Sequence, residues 1–517
     1  MKTVQIRGED ITVSVADSLQ FISYTHPRSF IQHLSAAWQR ERSAPARAAM
    51  AQILVNSRMA LLGRRPICQD TGVVNVFLKI GRGVRIEGDS SLQQLVDEGV
   101  RRAYRNRDNP LRPSIVASPL FERVNTGDNT PAAVHVEIVE RDDIEITVAA
   151  KGGGSENKAR FAVLLPSDDV ASWVVDTVST LGAGWCPPGL LGIGVGGTAE
   201  QAMLIAKQAL TEPIDMNELL ARGAVTPLEK LRADIFTRVN ALGIGAQGLG
   251  GLTTVLDVKI RTLPTHAASL PIALIPNCAA DRHVTFTLDG TGAATFEAPD
   301  AGDWPQIVLD QTAGAARHVD LNTLTRDGVR QWRVGETLLL SGGLLAARDA
   351  AHKRLATLIA NGESLPVSLA GRSIYYMGPV DPVRDEVIGP AGPTTASRLD
   401  GFMELMLGHG VLVTIGKGER GPAAIDAIRR HGVASLIAVG GAAYLLSKAI
   451  HSSRIRAFPD LGMEAIRELE VREFPVIVAV DSRGRSIHEE GPAQWREHLL
   501  TARRPESGTA PPEAHAR

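Results

Sequence analysis

The sequence predicts an α/β protein in two unequal parts: a large mixed α/β N-terminal domain over 1–325, a smaller domain over 326–500, and a disordered tail over 501–517. Three features point to it. A chain of 517 residues is long enough for about two to four domains and needs no metal to fold. Helical and strand-like patterns are intermixed as far as residue 325, whereas after the polar stretch 320–336 short apolar runs alternate with helical sequence. The closing RRPESGTAPPEAHAR has too little apolar surface to order itself.

The elements follow in order. Over 15–62 apolar residues recur at helical spacing, with His26 and Pro27 as a break, so a helical cap precedes the first strands. The runs 73–80, 134–139 and 144–149 read as strands, and 169–181, 200–210 and 227–241 as helices. Thr226 ahead of Pro227 supplies an N-cap hydroxyl with proline at the first helical position. Strands return at 253–261 and 283–288. In the second part LLLSG (338–342), GVLVTIGK (410–417), ASLIAVGG (434–441) and FPVIVAVD (474–481) form a sheet covered by helices. There is no internal repeat.

Charge excludes several functions. With 55 Lys plus Arg against 57 Asp plus Glu, nothing attracts nucleic acid or an anionic membrane. The N-terminus has acidic residues and no continuous apolar segment, and no later stretch reaches membrane-spanning length, so cytoplasmic residence is expected. The 50 glycines and 29 prolines suit an enzyme whose turns bring backbone close to a ligand.

The three cysteines narrow the function most. Cys68, Cys186 and Cys278 each open a polar or glycine-rich stretch: ICQDTG, WCPPGLLGIGVGG and NCAADRH. They lie too far apart for a local CxxC knuckle, and an odd number argues against a disulfide scaffold. Three thiolates on one metal centre would leave a coordination position open for Lewis-acid chemistry; three small buried hydrophobes is the competing reading.

Two glycine motifs mislead if read alone. Gly192, Gly194 and Gly197 satisfy GxGxxG, but Cys186, Pro187 and Pro188 stand where the strand before a dinucleotide turn belongs. The stretch Lys151, Gly152, Gly153, Gly154, Ser155, Glu156, Asn157 is no phosphate loop, yet it could form a nest of N–H groups for a carboxylate or cluster sulfides.

Taken together, ICQDTG, NTGDNTPA (125–132), AKGGGSENK (150–158), GAGWCPPG, PNCAADRH, GPTTASR (392–398) and IGKG (415–418) resemble the class I, oxygen-sensitive iron–sulfur fumarate hydratases, in the wider group with L-tartrate dehydratase and mesaconate hydratase. The resemblance runs in order from about residue 10 to 490. It implies a [4Fe–4S] cluster held by Cys68, Cys186 and Cys278 with one iron not ligated by protein. A three-thiolate zinc site is the runner-up chemistry. The same resemblance implies a swivelling β/β/α-type C-terminal domain and an active site in the interdomain cleft. It also implies a small dicarboxylate substrate, fumarate or L-malate, and a homodimer.

The resemblance assigns Gln69, Asp70, Arg112, Gly153, His266, Arg348, Thr394, Arg398 and Lys417 to the substrate. Guanidinium groups suit bidentate carboxylate recognition, and a lysine adds a compact charge. Asp70 would handle the proton of the leaving or attacking oxygen, and Thr394 would take the C3 proton of malate, activated by Arg398, Lys417 and a helix N-terminus. In the competing reading, Thr394 and Thr395 cap the helix that follows. His283 and His352 are read as supporting the site from behind its contact residues or as purely structural.

Overall fold

The computed structural model describes residues 3–309 and 316–502. The expected helical cap consists of the helices Gly8–Tyr24, Arg28–Arg40 and Ala44–Gly63. Pro27, at the N-cap of the second, makes the break. Beside it the His26 ring is fully enclosed between the Ser57 hydroxyl and the Ala279 carbonyl.

Among the described residues of this part, one strand precedes the cap and nine follow it: β1 (Val4–Arg7), β2 (Val73–Gly81), β3 (Val84–Glu87), β4 (Ala133–Val139), β5 (Ile144–Lys151), β6 (Arg160–Leu164), β7 (Gly189–Gly196), β8 (Val255–Leu263), β9 (Leu270–Asn277) and β10 (His283–Leu288). They form three separate sheets: the pair β1-β3, a sheet β10-β5-β2-β4 and a sheet β6-β9-β7-β8. One core lies between β2, β5 and the helices Gly8–Tyr24 and Leu92–Tyr104; another lies between β7, β8, β9 and the helices Val170–Thr180 and Pro227–Asn240. Thr226 caps the latter helix as expected: its hydroxyl accepts from Glu229 N (3.2 Å) and the Glu229 carboxylate accepts from Thr226 N.

The strand expected to be absent ahead of GIGVGG is made of the glycines themselves. Gly192 and Gly194 lie inside β7, where a Cβ would collide with the carbonyls of Ala206 and Ala202 on the helix Ala199–Ala209. These glycines therefore let a helix sit directly on a strand, with no dinucleotide turn.

The second part contains β11 (Arg317–Asp320), β12 (Thr337–Ala346), β13 (Ser373–Tyr375), β14 (Val413–Gly416), β15 (Ala434–Ile437), β16 (Ile450–Ala457) and β17 (Ile466–Val480). The expected sheet is closed on itself. The 15-residue β17 pairs along one stretch with β15 and along most of its length with β12, so β12-β13-β14-β15-β17 form a five-stranded barrel with β11 and β16 attached outside the ring. Closure removes the exposed edges an open sheet would present. Leu338, Leu340, Val413, Ile415, Leu436, Phe474 and Val478 are fully buried in a core that also takes in Ile53 and Leu54 of the cap, so the two parts share apolar packing. The expected tail lies, from residue 503 on, outside the described residues; the helix Ile487–Ala502 precedes it. Among the described residues, no helix is long and apolar enough to cross a membrane.

Candidate active site

Three loops at the ends of elements bring the cysteines to one cavity. Cys68 lies between the helix Ala44–Gly63 and β2, Cys186 just ahead of β7, and Cys278 directly after β9. The Cys186 backbone is left-handed (φ 61°), a strained state for a residue with a Cβ. It is held by two bonds: its N donates to Ala183 O (2.9 Å) and its carbonyl accepts from Ala279 N (3.1 Å), which staples the second thiol loop to the third. Cys68, Cys186 and Cys278 line a space of about 310 Å³ together with Asp70, Arg282 and Lys417. Lys417 follows β14 of the barrel, so both parts of the chain contribute to the lining.

The cavity is electrostatically positive apart from Asp70. Burial pushes the Cys186 thiol up to about 11 against the pull of Lys417, and burial raises Cys68 against the charge of Arg282. Lys417 Nζ donates to Cys186 Sγ at 2.9 Å. Burial opposes the charge on that ammonium, but the Cys186 and Cys68 sulfurs outweigh it and its pKa rises. Burial likewise opposes ionisation of Asp70, and the charges of Arg112, Arg282 and Lys417 overcome it, so the carboxylate is held below its usual range. Asp70 Oδ2 accepts from Gly153 N (2.9 Å), the first residue of the short helix Gly153–Glu156. The nest read from KGGGSEN thus holds a carboxylate belonging to the protein.

Buried hydrogen bonds fix the seam between the parts. Gln69 Nε2 donates to Pro393 O (3.1 Å), and a Cβ on Gly392 would overlap Gln69 Oε1. Gln247, itself left-handed (φ 55°), donates to Pro187 O (2.9 Å) and accepts from Gly440 N (2.9 Å). Gly440 lies so close to Cys186 that a Cβ would collide with the sulfur. Asn56 donates to Gly441 O (2.9 Å) and accepts from Leu445 N (2.8 Å). Neither Gln247 nor Asn56 stands out as a functional residue in the sequence, because their roles are made by contacts far along the chain.

The expected substrate residues are brought together unevenly. Arg112 Nη1 donates to Gly378 O (2.6 Å), and its Nη2 lies 3.9 Å from Asp70. Burial, with repulsion from Arg348, lowers Arg112 to about 10. Arg348, 7% exposed, faces Glu464 at 3.5 Å and Asp349 at 3.7 Å. The Nε atoms of Arg112 and Arg348 are buried without a protein hydrogen-bond partner. Thr394 is buried beside Lys417: its carbonyl accepts from Lys417 N (3.0 Å), and its N donates to Tyr376 O (2.7 Å). No side-chain cap bond starts the turn Ala396–Phe402, which leaves the capping reading of Thr395 without support.

Two expected residues stand apart. Arg398 is exposed and forks onto Asp349 (3.1 and 2.8 Å). His266 is on the exposed β8–β9 connection, where its Nδ1 accepts from Ala268 N (3.2 Å), and it does not line the cavity. His352 is buried, with Nδ1 on Arg348 O (2.8 Å), behind one of the expected substrate residues. Arg282 is a lining residue that sequence reasoning missed although it sits in PNCAADRH: four residues past a cysteine, it carries no signal separating it from a surface arginine.

The donor set has the chemistry of an iron–sulfur site: three soft thiols in a positive, buried cavity. A single zinc ion with Zn–S bonds of about 2.3 Å would need its sulfurs drawn close together. Among the described residues, no three His, Cys, Asp or Glu side chains are grouped closely enough for one metal ion.

A two-part α/β chain with a three-thiol cavity flanked by buried arginines, a lysine and an aspartate defines a class of metal-assisted enzymes acting on small carboxylates. Comparison with known proteins gives the family. The model described as Fumarate hydratase (Fumerase) matches residues 12–287, and the model described as Fumarase C-terminus matches 290–491. The chain is 32% identical over 456 residues to the class I, anaerobic fumarate hydratase of Escherichia coli K12, covering 85% of this chain and 82% of that one. It is 33% identical over 454 residues to fumarate hydratase 2 of Leishmania major, covering 84% and 78%. A putative L(+)-tartrate dehydratase subunit alpha from Methanocaldococcus jannaschii is 36% identical over 263 residues, covering 90% of its own length but 50% of this chain. The chain belongs to the class I iron–sulfur fumarate hydratase family.

Proposed function

We propose that this enzyme is a hydro-lyase that reversibly hydrates fumarate to L-malate, with Cys68, Cys186 and Cys278 holding a [4Fe–4S] cluster. The observation that carries this reading is that the three thiols line one cavity with Asp70 and Lys417, one contributed by each part of the chain. When bound, such a cluster supplies a Lewis-acidic iron free of protein thiolate that polarises the substrate oxygen. Everything else falls to the chain. Arg112 and Arg348, whose buried Nε donors have no hydrogen-bond partner among the described residues, take carboxylate oxygens together with Lys417; Gln69 helps to orient the substrate, and Gly153 N holds the Asp70 carboxylate beside it.

In the hydration direction a water proton passes to the Asp70 carboxylate as the oxygen bonds to C2. The alkene electron pair moves to C3, which takes the proton of the Thr394 hydroxyl. The Thr394 alkoxide is stabilised by the adjacent Lys417 charge, and solvent returns the proton from Asp70. In this reading the division near residue 325 separates a cluster-holding unit from a unit carrying Thr394, Arg348, Arg398 and Lys417, and the site lies in the cleft between them. A swivel of the second unit would bring Arg398 off Asp349 and onto a carboxylate. Homodimerisation and cytoplasmic residence belong to the same reading, and a partner subunit is the route by which the exposed His266 would reach a substrate.

Mesaconate hydration, or L-tartrate dehydration by the same steps run in reverse, is the second reading. One methyl is worth only about 10 to 200-fold in a pocket. The fused chain favours fumarate, since the tartrate dehydratase alpha subunit matches only half of it. The test is fumarate hydration in D₂O by anaerobically loaded enzyme, followed by proton NMR. Malate carrying a single deuterium at C3 in one configuration is expected; racemic labelling, or no malate, overturns the reading.

A further inference from the structure

Arg282 is 3% exposed and lines the three-thiol cavity. One of its nitrogens is engaged by the protein, because Nη1 donates to Asp70 O (2.7 Å) and so ties the loop after Cys68 to the loop after Cys278. Nε and Nη2 are buried and have no hydrogen-bond partner among the described residues. A buried guanidinium with two free donors costs more than the fold recovers unless something polar meets it in the working enzyme.

The geometry around Gly152 shows what that is. A Cβ built on Gly152 would stand 3.3 Å from Asp70 Oδ2 and 3.6 Å from Arg282 Nη2, so the two groups flank one cradle that the missing side chain leaves open. Arg282 and Asp70 form no side-chain ion pair among the described residues, although the Arg282 charge helps to keep the Asp70 carboxylate ionised. A gap with a donor on one side and an acceptor on the other suits an oxygen atom that accepts from Nη2 and donates to Oδ2. Gly152 has φ −67°, so its backbone conformation does not call for glycine.

We propose that Arg282 is a catalytic residue whose Nη2–H, opposite Asp70, holds the oxygen that adds to and leaves C2 of the substrate, an inference that rests on the hydratase reading of the cavity. Arg282 exchanges no proton and forms no bond to carbon. Its hydrogen bond strengthens as that oxygen gains negative charge while the C2–O bond breaks, which is where a preorganised donor acts most.

The experiment compares wild type, Arg282→Met, Arg282→Lys and Gly152→Ala, each anaerobically loaded and matched for visible cluster absorption. With L-malate in D₂O and ¹⁸O-water, three rates are read: C3 hydrogen exchange, fumarate formation and ¹⁸O entry at C2. Arg282→Met is expected to slow fumarate formation and ¹⁸O entry by about 100-fold, the scale of losing one such donor. C3 exchange should persist and outrun dehydration, and Arg282→Lys should be intermediate. Gly152→Ala keeps both side chains and the Asp70 staple but fills the cradle, and should show the same split. Parallel loss of all three rates in Gly152→Ala, or wild-type rates in it, overturns the proposal, even if Arg282→Met fails to take up the cluster. A loaded wild type inactive on malate would instead overturn the hydratase reading itself.

Discussion

The two parts of this enzyme hold their functional side chains in opposite ways. In the N-terminal part the thiols sit on loops at strand ends of two separate sheets, and position is fixed by buried bonds between loops, such as Cys186 O to Ala279 N and Arg282 to Asp70 O. In the C-terminal part Thr394 and Lys417 are fixed by a closed barrel, with the isolated bridge Thr395 to Lys417 continuing the strand order past β14. Loops can converge from three directions on one polyhedral ligand, while a barrel presents a rigid edge to a substrate. Cofactor retention and proton chemistry should therefore be separable by mutation.

The most damaging substitution strikes the loop side. Cys186→Ser should abolish both cluster absorption and turnover, as read by visible spectra and malate formation on the same sample. Turnover retained in that variant would reject it as a ligand. On the barrel side, Thr394→Ala should leave the absorption intact while turnover and C3 exchange fall by about 10² to 10⁴-fold. Unchanged exchange would reject Thr394 as the base.

A residue at the seam joins the two modes. Gly440 belongs to the C-terminal part, yet a Cβ there would collide with Cys186 Sγ. Gly440→Ala should therefore behave like a loop-side mutation, lowering iron content per chain, with an overpacking cost of about 1–3 kcal/mol seen in urea unfolding. Normal iron content would show that the seam is not tight in solution.

Acid stability responds least, and each part carries a fully buried histidine that senses it. His26 and His352 are fully buried and burial lowers both to about 4 from an ordinary 6.5. The neutral form is the one that fits the fold, so between pH 6.5 and 4 the unfolded chain binds the extra proton. Stability is then full above pH 6.5 and falls as pH drops toward 4, by at most about 3 kcal/mol per histidine. His26→Gln should flatten that slope in denaturant titrations and, because His26 Nε2 meets Ala279 O next to Cys278, also disturb the cluster. His352→Gln should flatten the slope with the cluster unaffected.

What could be read from the sequence follows the range of the forces involved. Local chemistry was legible: Thr226 and Pro227 start their helix, and 73–80, 144–149 and 283–288 lie within β2, β5 and β10. Closure of the barrel was not, because it depends on β17 pairing with β12 more than a hundred residues earlier in the chain. β7 was hidden because glycines that admit a helix erase the apolar signature of a strand. At the site, motif residues such as Cys68, Asp70 and Lys417 stood out by their neighbours in sequence. Gln247, Asn56 and Arg282 act through neighbours in space, and Arg398 and His266 lie where a single chain in this arrangement leaves them exposed.

One cavity, built from both parts, is proposed to hydrate fumarate once its thiols hold a cluster. The most direct test is anaerobic reconstitution with iron and sulfide, followed by parallel rates on fumarate, mesaconate and L-tartrate with cluster content measured on the same sample. A dominant rate on fumarate that scales with cluster content is expected. A fully loaded enzyme that turns over none of the three would contradict it.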